Sequence, residues 1–415
     1  MSILDKKTKD IDTLGDLRAR SSAEQQDGGY ADTLREVLQQ PATWRGTAAL
    51  LRQPAVREQL ARAMSPRPAH LVLTGSGSSM YIGECLAPTL RAGLGISAQA
   101  IAAGTLLTHW RGVLPAEPGL LISLARSGDS PESCGVVDRL LADAPAWRHL
   151  VITCNANGKL ATRYKHDPRV SVVVLDERTN ARSLVMTSSF TNLLLASSGL
   201  LLGSEDELAE AAVDRLAAVV ERIFEQQADR LAALAARDIE AAVYLGSGGA
   251  IGAAHETALK MLGMTGGKVI TMAETFLGLR HGPMSSIRAS TLIVGLLSPD
   301  PAVRGYELDL LRELSRKGLG MAKLLVGEQV PADVIAQGDV VIDLHGLGHE
   351  GPGHDSTGHE SGGHAGELPA LLAGVVVGQL LAMFRCLRLG DRPDTPSQGV
   401  LTRVVQEFTI HGAGA

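Results

Sequence analysis

Short apolar runs that empty into glycine- and serine-rich turns, each followed by a longer amphipathic stretch, recur along this chain. Runs at His70 to Thr74, Ala98 to Ala102, Leu120 to Leu124, Leu150 to Cys154 and Val170 to Leu175 predict buried strands, with helices or loops between them. The pattern restarts at Ala242 to Leu245 and continues through Val269 to Met272, Thr291 to Leu297, Ala322 to Val326 and Asp339 to Leu344. Strands alternating with helices predict an α/β fold of parallel, doubly wound, flavodoxin-like sheets with right-handed crossovers.

The restart is a repeat. Leu71 to Thr74 followed by Gly75-Ser76-Gly77 returns as Ala242 to Leu245 followed by Gly246-Ser247-Gly248, offset by 171 positions. Each turn leads into a helix, so the chain reads as two similar α/β domains packed face to face. Residues 1–50, polar and broken at Gln39-Gln40-Pro41, read as a helical arm without chemistry. The first domain then occupies 51–204, an Ala-rich helical linker 205–238, the second domain 239–393, and a tail 394–415. Ala370 to Leu389 is a long apolar helix suited to a domain or subunit interface. Before it lies a glycine-rich tract with His345, His349, His354, His359 and His364, an insert over 345–365. Its composition favours a flexible surface loop over a metal site, because nothing regular fixes the imidazoles.

Composition narrows the class. Hydrophobic residues make up 45% and charged residues 20% of the 415, with a formal net charge of −6. This is a globular composition without the basic footprint of a nucleic-acid binder. Aromatics are scarce at 3%, which favours aliphatic sheets covered by helices. The N-terminal stretch lacks the apolar core of a signal peptide, and no uninterrupted apolar run reaches about 18 residues, so no membrane partner and a cytoplasmic location are expected. The four cysteines, Cys85, Cys134, Cys154 and Cys386, lack CxxC spacing and read as buried thiols. Cys134 as a nucleophile is disfavoured, with no His beside it.

Candidate chemistry concentrates where strands end. Leu120 to Leu124 runs into Ala125-Arg126-Ser127-Gly128-Asp129-Ser130-Pro131, with Pro131 placed as the first residue of a helix. A helix N-terminus with backbone N–H groups, the Ser127 and Ser130 hydroxyls and the Arg126 guanidinium suits a phosphate, although Ser and Asp here are also ordinary N-caps. Neither Gly-Ser-Gly turn completes GxGxxG, since Met80 and Ile251 stand where the last glycine belongs, so dinucleotide sites are a weak rival. In the second half, Glu256, Lys260 and Gly263 share one helix face. Glu256 and Lys260 are either a solvated i,i+4 bridge or a pair facing a ligand. His281, in a Gly-Pro turn, suits proton transfer to a sugar ring oxygen.

Taken together, GSGSS, ARSGDSPES, the second GSGG and LRHGP resemble the sugar isomerase (SIS) domains found twice in the isomerase half of glucosamine-6-phosphate synthase. The chain is still more similar to the AgaS family, galactosamine-6-phosphate deaminase/isomerases also called tagatose-6-phosphate ketose/aldose isomerases. SLVMTSSF from Ser183, YELDLL from Tyr306, and the ending with Asp394, Ser397, Arg403 and His411 carry the match across about residues 45 to 411, outside the His-rich insert. The resemblance implies Ser78 and Ser79 as a hydroxyl loop, Arg126, Ser127 and Ser130 around a 6-phosphate, and Val185 as a backbone contact to the sugar. It further implies His281 as the ring-opening base, Lys260 near the reacting carbons, and Arg403 on a tail that closes over the site.

One position departs from the family. The helix glutamate that shuttles a proton between C1 and C2 would stand at Gly263, a helix-interior glycine unfavourable by about 1 kcal/mol. Glu274, seven residues before His281, is the preferred replacement, with Glu256 the other candidate. The resemblance implies conversion of galactosamine 6-phosphate to tagatose 6-phosphate and ammonia, the imine being lost to water, with no cofactor or metal and with a sugar phosphate as the small-molecule partner. A plain ketose/aldose isomerase, a deaminase for the gluco epimer, or a non-catalytic sugar-phosphate sensor are the alternatives. A homodimer or higher homo-oligomer is expected, because such folds often borrow loops from a neighbour.

Overall fold

The computed structural model describes residues 12–201, 207–347, 367–405 and 407–411. Ten strands form two five-stranded parallel sheets. In the first, β1 (His70–Thr74), β2 (Ser97–Ala100), β3 (Leu120–Ala125), β4 (Arg148–Thr153) and β5 (Val170–Val174) lie in the order β2-β1-β3-β4-β5. In the second, β6 (Ala241–Gly246), β7 (Ile270–Thr275), β8 (Thr291–Leu296), β9 (Ala322–Gly327) and β10 (Val340–Asp343) lie in the order β7-β6-β8-β9-β10. The two orders are one order, 2-1-3-4-5, which is the flavodoxin-like arrangement and confirms the duplication at the level of topology. The central strands are apolar on both faces, as helix-covered parallel sheets require: β3, β8 and β9 are buried at every position.

The two units meet along the helices that follow their Gly-Ser-Gly turns, Ser78–Leu94 and Ala250–Met264. Gly252 makes the crossing possible, since a Cβ there would stand 2.6 Å from Cys85 N and 2.7 Å from Tyr81 O. Near its other end the second helix reaches the first residue of the first, Lys260 against Ser78. The helices therefore run in opposite senses, and so do the sheets they follow. The carboxyl end of one sheet lies beside the amino end of the other.

Glu367–Arg388 is the apolar helix foreseen for an interface. It packs on the Ala250–Met264 helix and on the linker helices Glu207–Gln226 and Ala228–Ala235. By length and hydropathy it could cross a membrane, but 89% of its most apolar window is buried inside the fold, where it acts as a core helix. The His-rich insert from residue 348 onward, and the start of the linker at 205–206, lie outside the described residues.

The N-terminal arm corrects the sequence reading. Its helices Ala31–Leu38 and Gln40–Leu51 carry Thr33, Glu36, Gln40, Thr43 and Thr47, none more than 1% exposed. These polar groups pair across the interface: Thr47 Oγ1 donates to Asn192 Oδ1 at 2.7 Å, Asn192 Nδ2 to Thr43 Oγ1 at 2.9 Å, and Gln40 Nε2 to Gln379 Oε1 at 2.9 Å. Buried polar groups of this kind specify one docking geometry because a slip would leave them unpaired. The arm is bound into the molecule rather than appended to it.

Candidate active site

In a 2-1-3-4-5 sheet the strand order reverses between β1 and β3, and ligands gather outside the carboxyl ends of those strands. The two loops there are Gly75–Gly77, leading into Ser78 and Ser79, and Arg126–Ser130. Gly158 lets the β4 loop close against the second of these: a Cβ there would lie 2.3 Å from Ser127 O. Asn155 Nδ2 donates to the same carbonyl at 2.8 Å, and Lys159 N donates to Asp129 Oδ1 at 3.0 Å. Ser130 stands at the N-cap of the Pro131–Asp143 helix, yet its hydroxyl donates to Glu132 Oε2 at 2.6 Å and makes no cap bond. The simple N-cap reading of Ser130 is thus replaced, and the positive end of that helix is not closed by its own side chain.

Arg126 is buried, with Nη1 donating to Ser183 O at 3.0 Å and Leu184 O at 2.9 Å. Burial, reinforced by the neighbouring Arg403 guanidinium and opposed by Glu36, brings it down to about 10. Arg403 itself reaches from the tail to Ala181 O and Asn180 Oδ1. Two guanidinium groups held near each other in a partly dry place favour an anion between or beside them. Val185 packs against the core on the same 183–187 segment, and Met186 Sδ lies 3.9 Å from Ser79 Oγ.

From the second unit comes Lys260. Its Nζ is 2.7 Å from Glu256 Oε1 and donates to Ser78 Oγ at 2.9 Å, with the two side chains only 3% and 0% exposed. This settles the alternative left open by spacing: the pair is buried at the junction, not a solvated bridge. Burial raises the Glu256 carboxyl, while Lys260 and Ser78 hold it back. Gly263 lies one turn beyond Lys260, and a Cβ there would meet nothing within 4 Å.

His281 and Glu274 lie elsewhere in the chain. Glu274 is the penultimate residue of β7, where its Oε1 accepts from Thr275 N at 2.7 Å and Thr275 Oγ1 at 3.2 Å. His281 follows on an exposed turn after β7. Nearby, His255 Nδ1 is 2.7 Å from Glu84 Oε2 and its ring stacks on Tyr81, so the bonded carboxylate raises its pKa. Sequence reasoning passed over His255 and Glu84, because no spacing links residues so distant in the chain. Cys134 is buried beside the phosphate loop and its thiol is pushed up to about 11, the reverse of an activated nucleophile.

Duplicated flavodoxin-like units, with polar loops at the switch point of the first, define a double SIS-domain protein. Over 396 residues the chain is 37% identical to the AgaS protein of Streptomyces coelicolor, covering 93% of this chain and 96% of that one. The chain belongs to the AgaS family. It is likewise 31% identical over 390 residues to the D-galactosamine-6-phosphate deaminase AgaS of Escherichia coli, covering 91% and 95% of the two chains. A crystal structure of a Clostridium novyi protein, provisionally named a tagatose-6-phosphate ketose/aldose isomerase, matches with TM-score 0.82 at 30% identity, covering 96% and 98%. No family model matches the chain.

Proposed function

We propose that this protein is an amino-sugar-phosphate deaminase/isomerase whose substrate is galactosamine 6-phosphate, converted to tagatose 6-phosphate and ammonia. The observation that carries the proposal is Lys260 crossing from the second unit to Ser78 at the mouth of the first. It sets a cation and a hydroxyl opposite a phosphate-type loop. The names borne by the relatives, a deaminase and a ketose/aldose isomerase, support the same chemistry and name no hydrolase.

In this reading the 6-phosphate sits on the Arg126–Ser130 loop, with Arg126 and Arg403 supplying charge and Ser127 and Ser130 hydrogen bonds. Ser78, Ser79 and the Val185 backbone align the open sugar so that its C1 and C2 face Lys260. A proton leaves C2 and returns to C1, turning the amino-aldose into a C2 imine. Water then adds at C2 and ammonia departs. Positioned acid and base suffice for these steps, and no cofactor enters them.

The carboxylate in the Lys260 cluster is Glu256. Glu274, preferred on sequence grounds, lies on β7, where its carboxylate accepts from Thr275. Glu256 is completely buried, so we assign the proton transfer to the Glu256–Lys260 pair as a unit, with Lys260 the member that meets the sugar. His281, exposed on its turn, is assigned to ring opening, and the working form is taken to be a homodimer or larger homo-oligomer in which a neighbouring copy can present such a turn. The core placement of the long apolar helix fits an enzyme that does not use this helix as a membrane anchor.

The test is ammonia release from purified protein given galactosamine 6-phosphate or glucosamine 6-phosphate. Release that prefers the galacto epimer and falls at least a hundredfold in Lys260→Met supports the proposal. One observation favours the sensor reading, the open space at Gly263 where the family carries its glutamate. If both sugars raise the melting temperature and neither is turned over, the protein is a sensor and the enzymatic reading is wrong.

A further inference from the structure

The Ser183–Thr187 segment lies over the phosphate loop, and its shape is set by a residue of the N-terminal arm. Glu36, 1% exposed, accepts at Oε1 from Arg182 N at 2.5 Å and Ser183 N at 3.1 Å. At Oε2 it accepts from Ser183 Oγ at 2.5 Å and Thr187 Oγ1 at 3.2 Å. Four donors from one segment thus converge on one carboxylate. The carbonyls this arrangement turns outward, Ser183 O and Leu184 O, are the ones that receive Arg126 Nη1. Glu36 is also the carboxylate whose charge favours protonated Arg126 against burial and Arg403. The tail joins the same knot: Leu184 N donates to Asp394 O at 2.9 Å, and the Asp394 carboxylate accepts from Thr33 N and Thr33 Oγ1, each at 2.7 Å.

We propose that Glu36 is a positioning residue of the sugar-phosphate site, fixing the 182–187 segment and through it the Arg126 guanidinium. The proposal rests on the functional reading above and deepens it. A carboxylate is the side chain that suits the position, since it offers only acceptors to donors arriving at both oxygens. In Glu36→Gln the amide oxygen can keep the Arg182 and Ser183 N–H groups only if the NH2 faces the Ser183 and Thr187 hydroxyls, which must turn round to accept it; the charge that strengthens all four bonds is lost, so the segment loosens and Arg126 with it. Arginine-to-phosphate geometry is bidentate and directional, so a small displacement weakens binding more than it slows the chemistry at C1 and C2.

The experiment compares the parent, Glu36→Gln, Glu36→Asp and Leu34→Ala in the full chain. Leu34 is buried on the same arm helix and its side chain makes none of the four hydrogen bonds to the segment. Amide hydrogen exchange at Arg182 and Ser183 and steady-state kinetics with galactosamine 6-phosphate are read for each. Glu36→Gln should raise exchange at those two amides and raise KM at least tenfold with kcat within threefold, Glu36→Asp should recover part of the KM, and Leu34→Ala should do neither. A KM for Glu36→Gln within twofold of the parent, or changes matched by Leu34→Ala, would overturn the proposal. If the parent itself neither binds nor converts a sugar phosphate, the functional reading fails instead, and the two failures are told apart by the parent alone.

Discussion

Replacing Lys260 by Met removes the one cation beside a completely buried carboxylate, and the cost can be worked from the environment of Glu256. Breaking a buried ion pair by deleting one partner costs about 3–5 kcal/mol if the other stays charged. Glu256 has a cheaper escape, which is to take up a proton. Its carboxyl starts from 4.5 in the unfolded chain, and burial already raises it when folded. Holding it neutral at pH 7 costs about 3.4 kcal/mol, from 2.5 pH units at about 1.36 kcal/mol each, which caps the charge-related loss. At pH 5 the same cost is only about 0.8 kcal/mol. The sign follows from proton counts: the folded variant holds a proton that the unfolded chain releases above 4.5, so its stability falls as pH rises from there. Urea unfolding at pH 5 and pH 7 should therefore show the gap between Lys260→Met and parent widening at the higher pH, by at most about 2.5 kcal/mol because burial raises the parent's own carboxyl as well. Adding Glu256→Gln should restore most of the loss at pH 7. A gap equal at both pH values, or a double variant no more stable than the single one at pH 7, would refute the reasoning.

Two further outcomes test separate parts of the account. Gly263→Ala places a methyl where nothing lies within 4 Å, at the penultimate residue of the Ala250–Met264 helix, so thermal unfolding should show it more stable by roughly 0.5 kcal/mol. If that stabilised variant also loses ammonia release, the open space is one the sugar occupies; a less stable variant would contradict the geometry. His149, fully buried on β4 with neither ring nitrogen paired, is pushed down to about 4 from 6.5. Its neutral form is demanded by the fold, so stability is lost as pH falls from 6.5 towards 4, by about 3 kcal/mol in all. His149→Leu should lose less stability than the parent on acidification by that amount, measured by denaturant titration at pH 7 and pH 4. An unchanged acid slope would show that His149 charges freely.

Much of the fold was legible before any coordinates. The inner strands are announced by apolar runs, because a parallel sheet covered on both faces needs continuous aliphatic segments, whereas the edge strands β2 and β7 are more polar and less buried. The Gly-Ser-Gly repeat was readable for a related reason: the close turn and the Gly252 crossing admit no side chain, so the demand falls on residue identity itself. The polar stripe of Thr33, Glu36, Gln40, Thr43 and Thr47 was also present, at helical spacing. Periodicity says that such residues share a face, and polarity alone assigns that face to water. Only the packing of the arm against Asn192, Gln379 and the 182–187 segment shows that it is buried.

The site divides along the same line. Strand-end chemistry, in Ser78, Ser79 and Arg126 to Ser130, could be placed from sequence because a loop after a parallel strand lies at the carboxyl edge whatever the rest of the chain does. Of the partners of Lys260, Glu256 could be read from i,i+4 spacing on its own helix, but Ser78, 182 residues away, could not. Sequence proximity likewise joined Glu274 to His281, whereas tertiary structure gives Glu274 the Thr275 N–H and hydroxyl as partners and sets His281 on an exposed turn. Local pattern thus determined the elements, the duplication and the loops that bear the chemistry. The antiparallel crossing of two helices, a contact between residues distant in the chain, decided which of those groups share a site.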